Sequence, residues 1–366
     1  MKIFLKILAL NVAILLPGLI VLELIFGGWF TDEDPLLNFS RPRNVEWTFR
    51  VPWQPEGAEY SRDQFGLRGL DGKPDDVFIL TVGGSTTDQR YLSTQDTWQE
   101  ALQSRLGEDG KHYEVVNAGI DGQSTVGHIK NFKQWFNRIE NFRPDYILFY
   151  IGVNDFYIAD GNVSDANLEK NRSFRKYVNK SALVAAGKIV RDALRSKKRD
   201  ETTDRKPGHS FNGIDTSTYV DKRELADCCT DQYLVRSMLA LQQRVKLLAE
   251  LTEQMGARAI FVNQRSSLWI READAVRGAP VLTYADPSTL KNLGTITGVD
   301  RHDIEAFQAE HIMAGCREAG AICIDFVNEA LFDLEKDFYD DMHNTPSGAR
   351  KIGDYFFEKL KHLRPS

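Results

Sequence analysis

Apolar and polar positions follow two periods along this chain, and the period switches at turn residues. Short apolar runs stand at Val77-Phe78-Ile79-Leu80-Thr81-Val82, Tyr113-Glu114-Val115-Val116-Asn117, Tyr146-Ile147-Leu148-Phe149-Tyr150-Ile151, Arg258-Ala259-Ile260-Phe261-Val262-Asn263 and Ala321-Ile322-Cys323-Ile324-Asp325. Runs of this length, rich in β-branched and aromatic residues, predict strands, and the most apolar of them predict burial on both faces. Between them a helical period predicts helices over Thr97 to Leu106, Thr125 to Ile139, Tyr233 to Met255, Arg301 to Ala319 and Ser347 to Leu363. Strands alternating with helices imply an α/β fold: a doubly wound, flavodoxin-like parallel sheet of about five strands flanked by helices.

The N-terminus has a different pattern. Residues 7 to 22 are apolar apart from Asn11 and Pro17, and the run resumes after Glu23 as far as Phe30. That length suits a bilayer core of ~30 Å, so residues 7–30 are read as a transmembrane signal-anchor helix behind a cytoplasmic stretch, 1–6. Lys2 and Lys6 precede it, and Asp32, Glu33 and Asp34 follow; the positive-inside bias then puts the remainder outside the cytoplasm. Bulky Ile25 and Phe26 stand where a signal-peptide cleavage site would want small residues, which favours an anchor that is kept. Glu23, near the outer end, would snorkel to the interface or pair with another helix. Residues 31–74 form a juxtamembrane linker that packs on the domain, with a small turn at Phe65-Gly66-Leu67-Arg68-Gly69. Residues 75–366 form one globular domain with insertions near 156–231 and 265–300.

Composition narrows the function. With 366 residues, 42% hydrophobic, 27% charged and a net charge of −6, the chain is globular and too acidic for a general nucleic-acid binder. No Cys or His spacing of the zinc type occurs, so neither a metal nor another cofactor is expected. Cys316 and Cys323 fit either a helix-to-sheet disulfide or two buried thiols, whereas the adjacent pair Cys228-Cys229 is unsuited to a mutual bridge. The first insertion holds a basic section from Lys170 to Arg199. It would either meet anionic lipid or glycan or form a solvated face, and Ser181 to Leu194 within it has the amphipathic character of an interfacial lid.

The chemistry sits at the strand ends. The first run ends in Gly83-Gly84-Ser85-Thr86, the second in Ala118-Gly119-Ile120-Asp121-Gly122-Gln123-Ser124 and the third in Gly152-Val153-Asn154-Asp155; Asp340-Asp341-Met342-His343 precedes the last helix. Ligands of open α/β sheets bind at the carboxyl ends of strands. A serine hydroxyl needs an imidazole to take its proton and a carboxylate to orient that imidazole, and Asp340 and His343 supply both. Glycine amides and an Asn side-chain amide are suitable oxyanion donors.

Taken together these four blocks resemble the SGNH/GDSL hydrolase family, over roughly residues 75 to 160 and 320 to 366. The resemblance implies Ser85 as nucleophile, His343 as base and Asp340 as its orienting carboxylate, with an oxyanion hole formed by the Ser85 amide, the Gly122 amide and the Asn154 side chain. Gly84 departs from the family's Gly-Asp-Ser-Leu, leaving open which side chain supports the nucleophile turn, and Gly119 competes with Gly122 for the second block. The function implied is a membrane-anchored serine esterase facing the periplasm or cell surface. Its substrate would be an ester, with O-acetyl groups on an envelope polysaccharide as the first choice; protein partners are left open. The alternatives are an O-acyltransferase using the same nucleophile and a non-catalytic glycan-binding or assembly protein.

Overall fold

The computed structural model describes residues 2–30, 36, 39–158, 180–187, 204–209, 211–272, 275–283, 289–329 and 331–365. The chain divides into two units, Met1–Phe39 with Glu169–Asp204, and Ser40–Leu168 with Arg205–Ser366.

In the first unit, helix α1 (Lys2–Phe26) begins before the expected residue 7 and closes at Phe26, where the Gly27 N–H donates to Glu23 O at 2.8 Å and a 3₁₀ turn, Gly28–Phe30, follows. Ile3, Leu10, Ile14, Ile20 and Phe26 all stand exposed along it. Among the described residues no helix is long and apolar enough to cross a membrane, so the transmembrane segment expected over 7–30 is not carried by the structure; Asn11, Pro17 and Glu23 interrupt the apolar surface of α1. Glu23 pairs with another helical segment, as one of its two expected roles required. Its carboxylate accepts the N–H groups of Ala182 (3.1 Å) and Leu183 (3.0 Å) and the Trp29 indole N–H (3.1 Å). Most of the basic section, and the end of the Ser181 to Leu194 stretch, lie outside the described residues.

The second unit opens with a β-hairpin inside the expected linker: β1 (Val45–Val51) pairs antiparallel with β2 (Gln54–Arg62). Apolar Phe49, Val51, Ala58 and Tyr60 are buried on one side of it, so this stretch is part of the globular unit. At the expected turn, Asp63 Oδ1 accepts the N–H groups of Phe65 and Leu67, both at 2.8 Å, and Arg68 then pairs with Asn117 as a short antiparallel bridge.

The five expected strands follow: β3 (Val77–Gly83), β4 (Glu114–Asn117), β5 (Tyr146–Ile151), β6 (Arg258–Asn263) and β7 (Ile322–Ile324). They lie in the order β7-β6-β5-β3-β4, all parallel. Every residue of β3 and β5 is buried, because helices cover both faces. On one face Tyr146, Leu148 and Tyr150 of β5 meet Trp98 and Leu102 of α3 (Trp98–Leu106) and Phe356 and Leu360 of the C-terminal helix. On the other, Phe149 stacks on Phe261 at 5.0 Å between ring centroids and faces Phe132 of α4 (Thr125–Gln134). That face is completed by α5 (Gln232–Gln254) and α6 (Gly298–Glu318); the C-terminal helix is α7 (Pro346–Leu360).

Side-chain caps explain why these helices start where they do. Thr97, Asp231, Thr297 and Thr345 each accept a backbone N–H from the first turn, and Thr297 with Asp300 completes a capping box. Cys316 of α6 and Cys323 of β7 form a disulfide, while Cys228 and Cys229 are free thiols. Strand order reverses between β3 and β5, so the crevice of a doubly wound sheet opens where these two strands end.

Candidate active site

Ser85 is the first residue of the short helix α2 (Ser85–Asp88), directly after β3, with Gly84 at its cap. A side chain has no room at Gly84: a Cβ there would lie 1.8 Å from Asn154 Nδ2. Room for one comes only if the Asn154 amide moves aside. The turn is closed by the Thr87 and Asp88 N–H groups donating to Gly84 O at 3.1 and 2.9 Å. Gln264, beyond the end of β6, locks it: Nε2 donates to Thr86 Oγ1 (2.6 Å) and Tyr150 O (3.0 Å), and Oε1 accepts from Val153 N (2.8 Å). One buried amide thus joins the nucleophile turn to the segment bearing Asn154.

The Asp340–His343 segment forms a tight loop. Asp340 Oδ1 accepts the N–H groups of Met342 (3.0 Å) and His343 (2.8 Å), and Ser267 anchors the loop through Asp341 O (2.8 Å) and Asp340 O (3.0 Å). His343 Nδ1 lies 2.9 and 2.8 Å from the two Asp340 carboxylate oxygens, and its Nε2 lies 2.7 Å from Ser85 Oγ. Burial alone would raise the Asp340 carboxyl, but hydrogen bonds from His209 and His343 hold it well below the usual carboxylate range. Tyr339 stacks on the His343 ring at 5.5 Å, and Trp53 of the β1–β2 turn stacks on Tyr339 at 4.8 Å. The hairpin therefore fixes the imidazole plane from behind.

The competition between Gly119 and Gly122 has a simple resolution. The Gly119 N–H is already bonded to Asn117 Oδ1 at 2.8 Å, whereas Gly122 is exposed, in the left-handed region at φ 73°. Its N–H, like that of Ser85, has no partner among the described residues. Asn154 stands in the 3₁₀ turn Val153–Tyr157 after β5, with Nδ2 donating one hydrogen to Gln123 O at 3.0 Å and leaving the other free. Next to it, Asp155 accepts from Thr125 Oγ1 (2.5 Å) and Arg244 (3.3 Å), binding this turn to α4 and α5.

Two features were invisible in the sequence. His209 Nδ1 lies 3.2 Å from Asp340 Oδ2, and its ring meets that of His343 edge-on at 4.7 Å. Its pKa is raised, chiefly by the hydrogen bond to Asp340. A lone histidine in an aperiodic insertion carries no pattern; only the Pro207-Gly208 turn before it marks the place. The second is the Asp88 carboxylate under α2, which pairs with Arg62 at 2.6 Å and with the Tyr60 hydroxyl at 2.9 Å. Arg62 also donates to the Gly119 carbonyl, tying the nucleophile helix to the second glycine block.

Known proteins resemble this chain in the same region. Residues 81–222 match the model of the GDSL-like lipase/acylhydrolase family. Esterase TesA of Pseudomonas aeruginosa is 31% identical over 77 residues, 21% of this chain and 37% of the esterase; the alignment spans little more than a third of that relative. Among solved structures, TesA covers 78% of this chain and 98% of its own at 15% identity and a TM-score of 0.41. A mutant of Axe2, an acetyl-xylooligosaccharide esterase from Geobacillus, covers 80% of this chain and 100% of its own at 13% identity and a TM-score of 0.41.

Proposed function

We propose, on the premise that this chain is an enzyme of the GDSL/SGNH esterase/acylhydrolase type, that it hydrolyses small acyl esters through an acyl-Ser85 intermediate while anchored to a membrane by α1. The observation that carries the reading is the Ser85–His343–Asp340 line, 2.7 Å at the serine and 2.8 Å at the carboxylate. Ser85 Oγ attacks the ester carbonyl as His343 Nε2 takes its proton; Asp340 stabilises the imidazolium. The Ser85 and Gly122 N–H groups and the free Asn154 hydrogen then bind the oxyanion. His343 returns the proton to the leaving alcohol, and a water repeats the sequence to release the acid.

Support for the placement comes from the exposed apolar side chains of α1, Lys2 and Lys6 at its N-terminal end and the acidic residues after it, and a disulfide in the catalytic unit, which suits an oxidising compartment. The substrate proposed is an O-acetylated envelope carbohydrate: Trp53 and Phe211, both partly exposed, flank Tyr339 beside His343, and partly exposed aromatic rings pack well on sugar rings. Fluorophosphonate labelling of the full chain, followed by peptide mapping, tests the chemistry. The label falls on Ser85, is lost in His343→Ala, and forms about 10²- to 10³-fold more slowly in Asn154→Ala; a folded chain that stays unlabelled overturns the reading. Release of the chain from membranes by alkaline washing would overturn the anchor.

A further inference from the structure

We infer that Asp340, His343 and His209 form a zinc site that holds the catalytic base in its inactive tautomer; the inhibitory consequence rests on the esterase reading above, the binding does not. Two imidazoles and a carboxylate converge here: one nitrogen of each ring and an Asp340 oxygen all lie within 4.8 Å of one another. Both Nδ1 atoms approach the same carboxylate oxygen, His343 at 2.8 Å and His209 at 3.2 Å. Ligands around a tetrahedral zinc at ~2.0–2.1 Å stand ~3.3 Å apart, so an ion enters after these contacts open by a few tenths of an ångström.

His209 is seated for this role. The Gly208 N–H donates to the Tyr91 hydroxyl at 2.8 Å, and the Tyr91 ring meets His209 edge-on. The His209 and Asp340 side chains are 28% and 24% exposed, which opens the fourth position to solvent, so that a water completes the three-ligand site. Imidazole nitrogen selects zinc over magnesium or calcium.

The ion acts through proton placement. In the working arrangement His343 Nδ1 donates to Asp340 and Nε2 accepts from Ser85. Coordination requires the Nδ1 lone pair, so the proton moves to Nε2, which then donates to Ser85 Oγ. No bond to carbon forms and no electron is transferred; the serine simply loses its acceptor. His209 shifts its own proton to Nε2 in the same way.

The test titrates zinc into the full chain carrying Cys228→Ser and Cys229→Ser, since Asp227, Cys228 and Cys229 are the other ligand cluster among the described residues. Calorimetry is expected to show one site, weakened roughly tenfold or more by His209→Gln or His209→Asn and unaffected by excess magnesium. Fluorophosphonate labelling of Ser85, referred to each protein's own metal-free rate, is slowed by zinc in the parent, insensitive in both His209 variants, and restored by a chelator. Binding that ignores both variants, or no binding at millimolar zinc, overturns the site. Binding lost in the variants with Ser85 inert throughout keeps the site and overturns the esterase reading.

Discussion

Replacing Ser85 or His343 by Ala is expected to lower kcat for a small aryl acetate by about 10⁴-fold or more, and the double variant to be no worse than either single one. The non-additivity is the informative part. Ser85 and His343 share one proton across 2.7 Å, so once either is gone the other has nothing to exchange with. The residual rate belongs to the donors that remain, the backbone amides of positions 85 and 122 and the Asn154 side chain. Steady-state kinetics on three purified variants, each with the parent's thermal midpoint, would check it. Losses that multiply in the double variant would mean the two residues act independently, and the proton-transfer account would fall.

Arg62→Met is expected to cost about 3–5 kcal/mol of stability, although Arg62 touches no reacting atom. Its guanidinium and the Asp88 carboxylate are both buried, and Tyr60 and the Gly119 carbonyl complete the network. Arg90 remains at 3.3 Å from Asp88, more exposed, which puts the cost toward the lower end. The pH dependence gives the sign. Burial would raise Asp88, yet Arg62 and Arg90 lower it below its ordinary value; this stability is fully present above the unfolded value near ~3.9 and is lost as pH falls through the lower folded value. In the variant burial is less opposed and the carboxyl moves up, so the deficit in urea midpoint is widest at neutral pH and narrows below about pH 4. A deficit that is flat across that range would place the loss in packing.

The sheet was readable because β3, β4 and β5 are buried along their whole length and glycines stand near the strand ends, so the period and the breaks agreed. The helix starts lay within a few residues for the same reason: Thr97, Thr297 and Thr345 cap them. Three blocks of the site were readable because each stands at a strand end, where the fold leaves little choice, and the fourth, Asp340–His343, because it directly precedes the last helix. What escaped was set by contacts between distant segments. The hairpin Val45–Arg62 looked like a linker because its apolar positions are few and interspersed with charge, and its place follows from the aromatic cluster it meets. His209 and Gln264 are single residues whose roles come entirely from what the fold brings opposite them. The extent of α1 was misjudged because Pro17 and Lys6 sit inside a helix that starts near the first residue.

Ser85 and its base are separated by 258 positions, and the loop carrying His343 is held in place by α7, whose Phe356 meets Trp98 of α3 at 5.1 Å. In the roles proposed for them, the nucleophile therefore leaves the ribosome during synthesis long before the residue that activates it. A growing or truncated chain holds a plain serine, and reactivity begins only when the last helix docks. On the proposed reading, assembly order alone keeps acyl esters near the ribosome out of reach of a half-made enzyme.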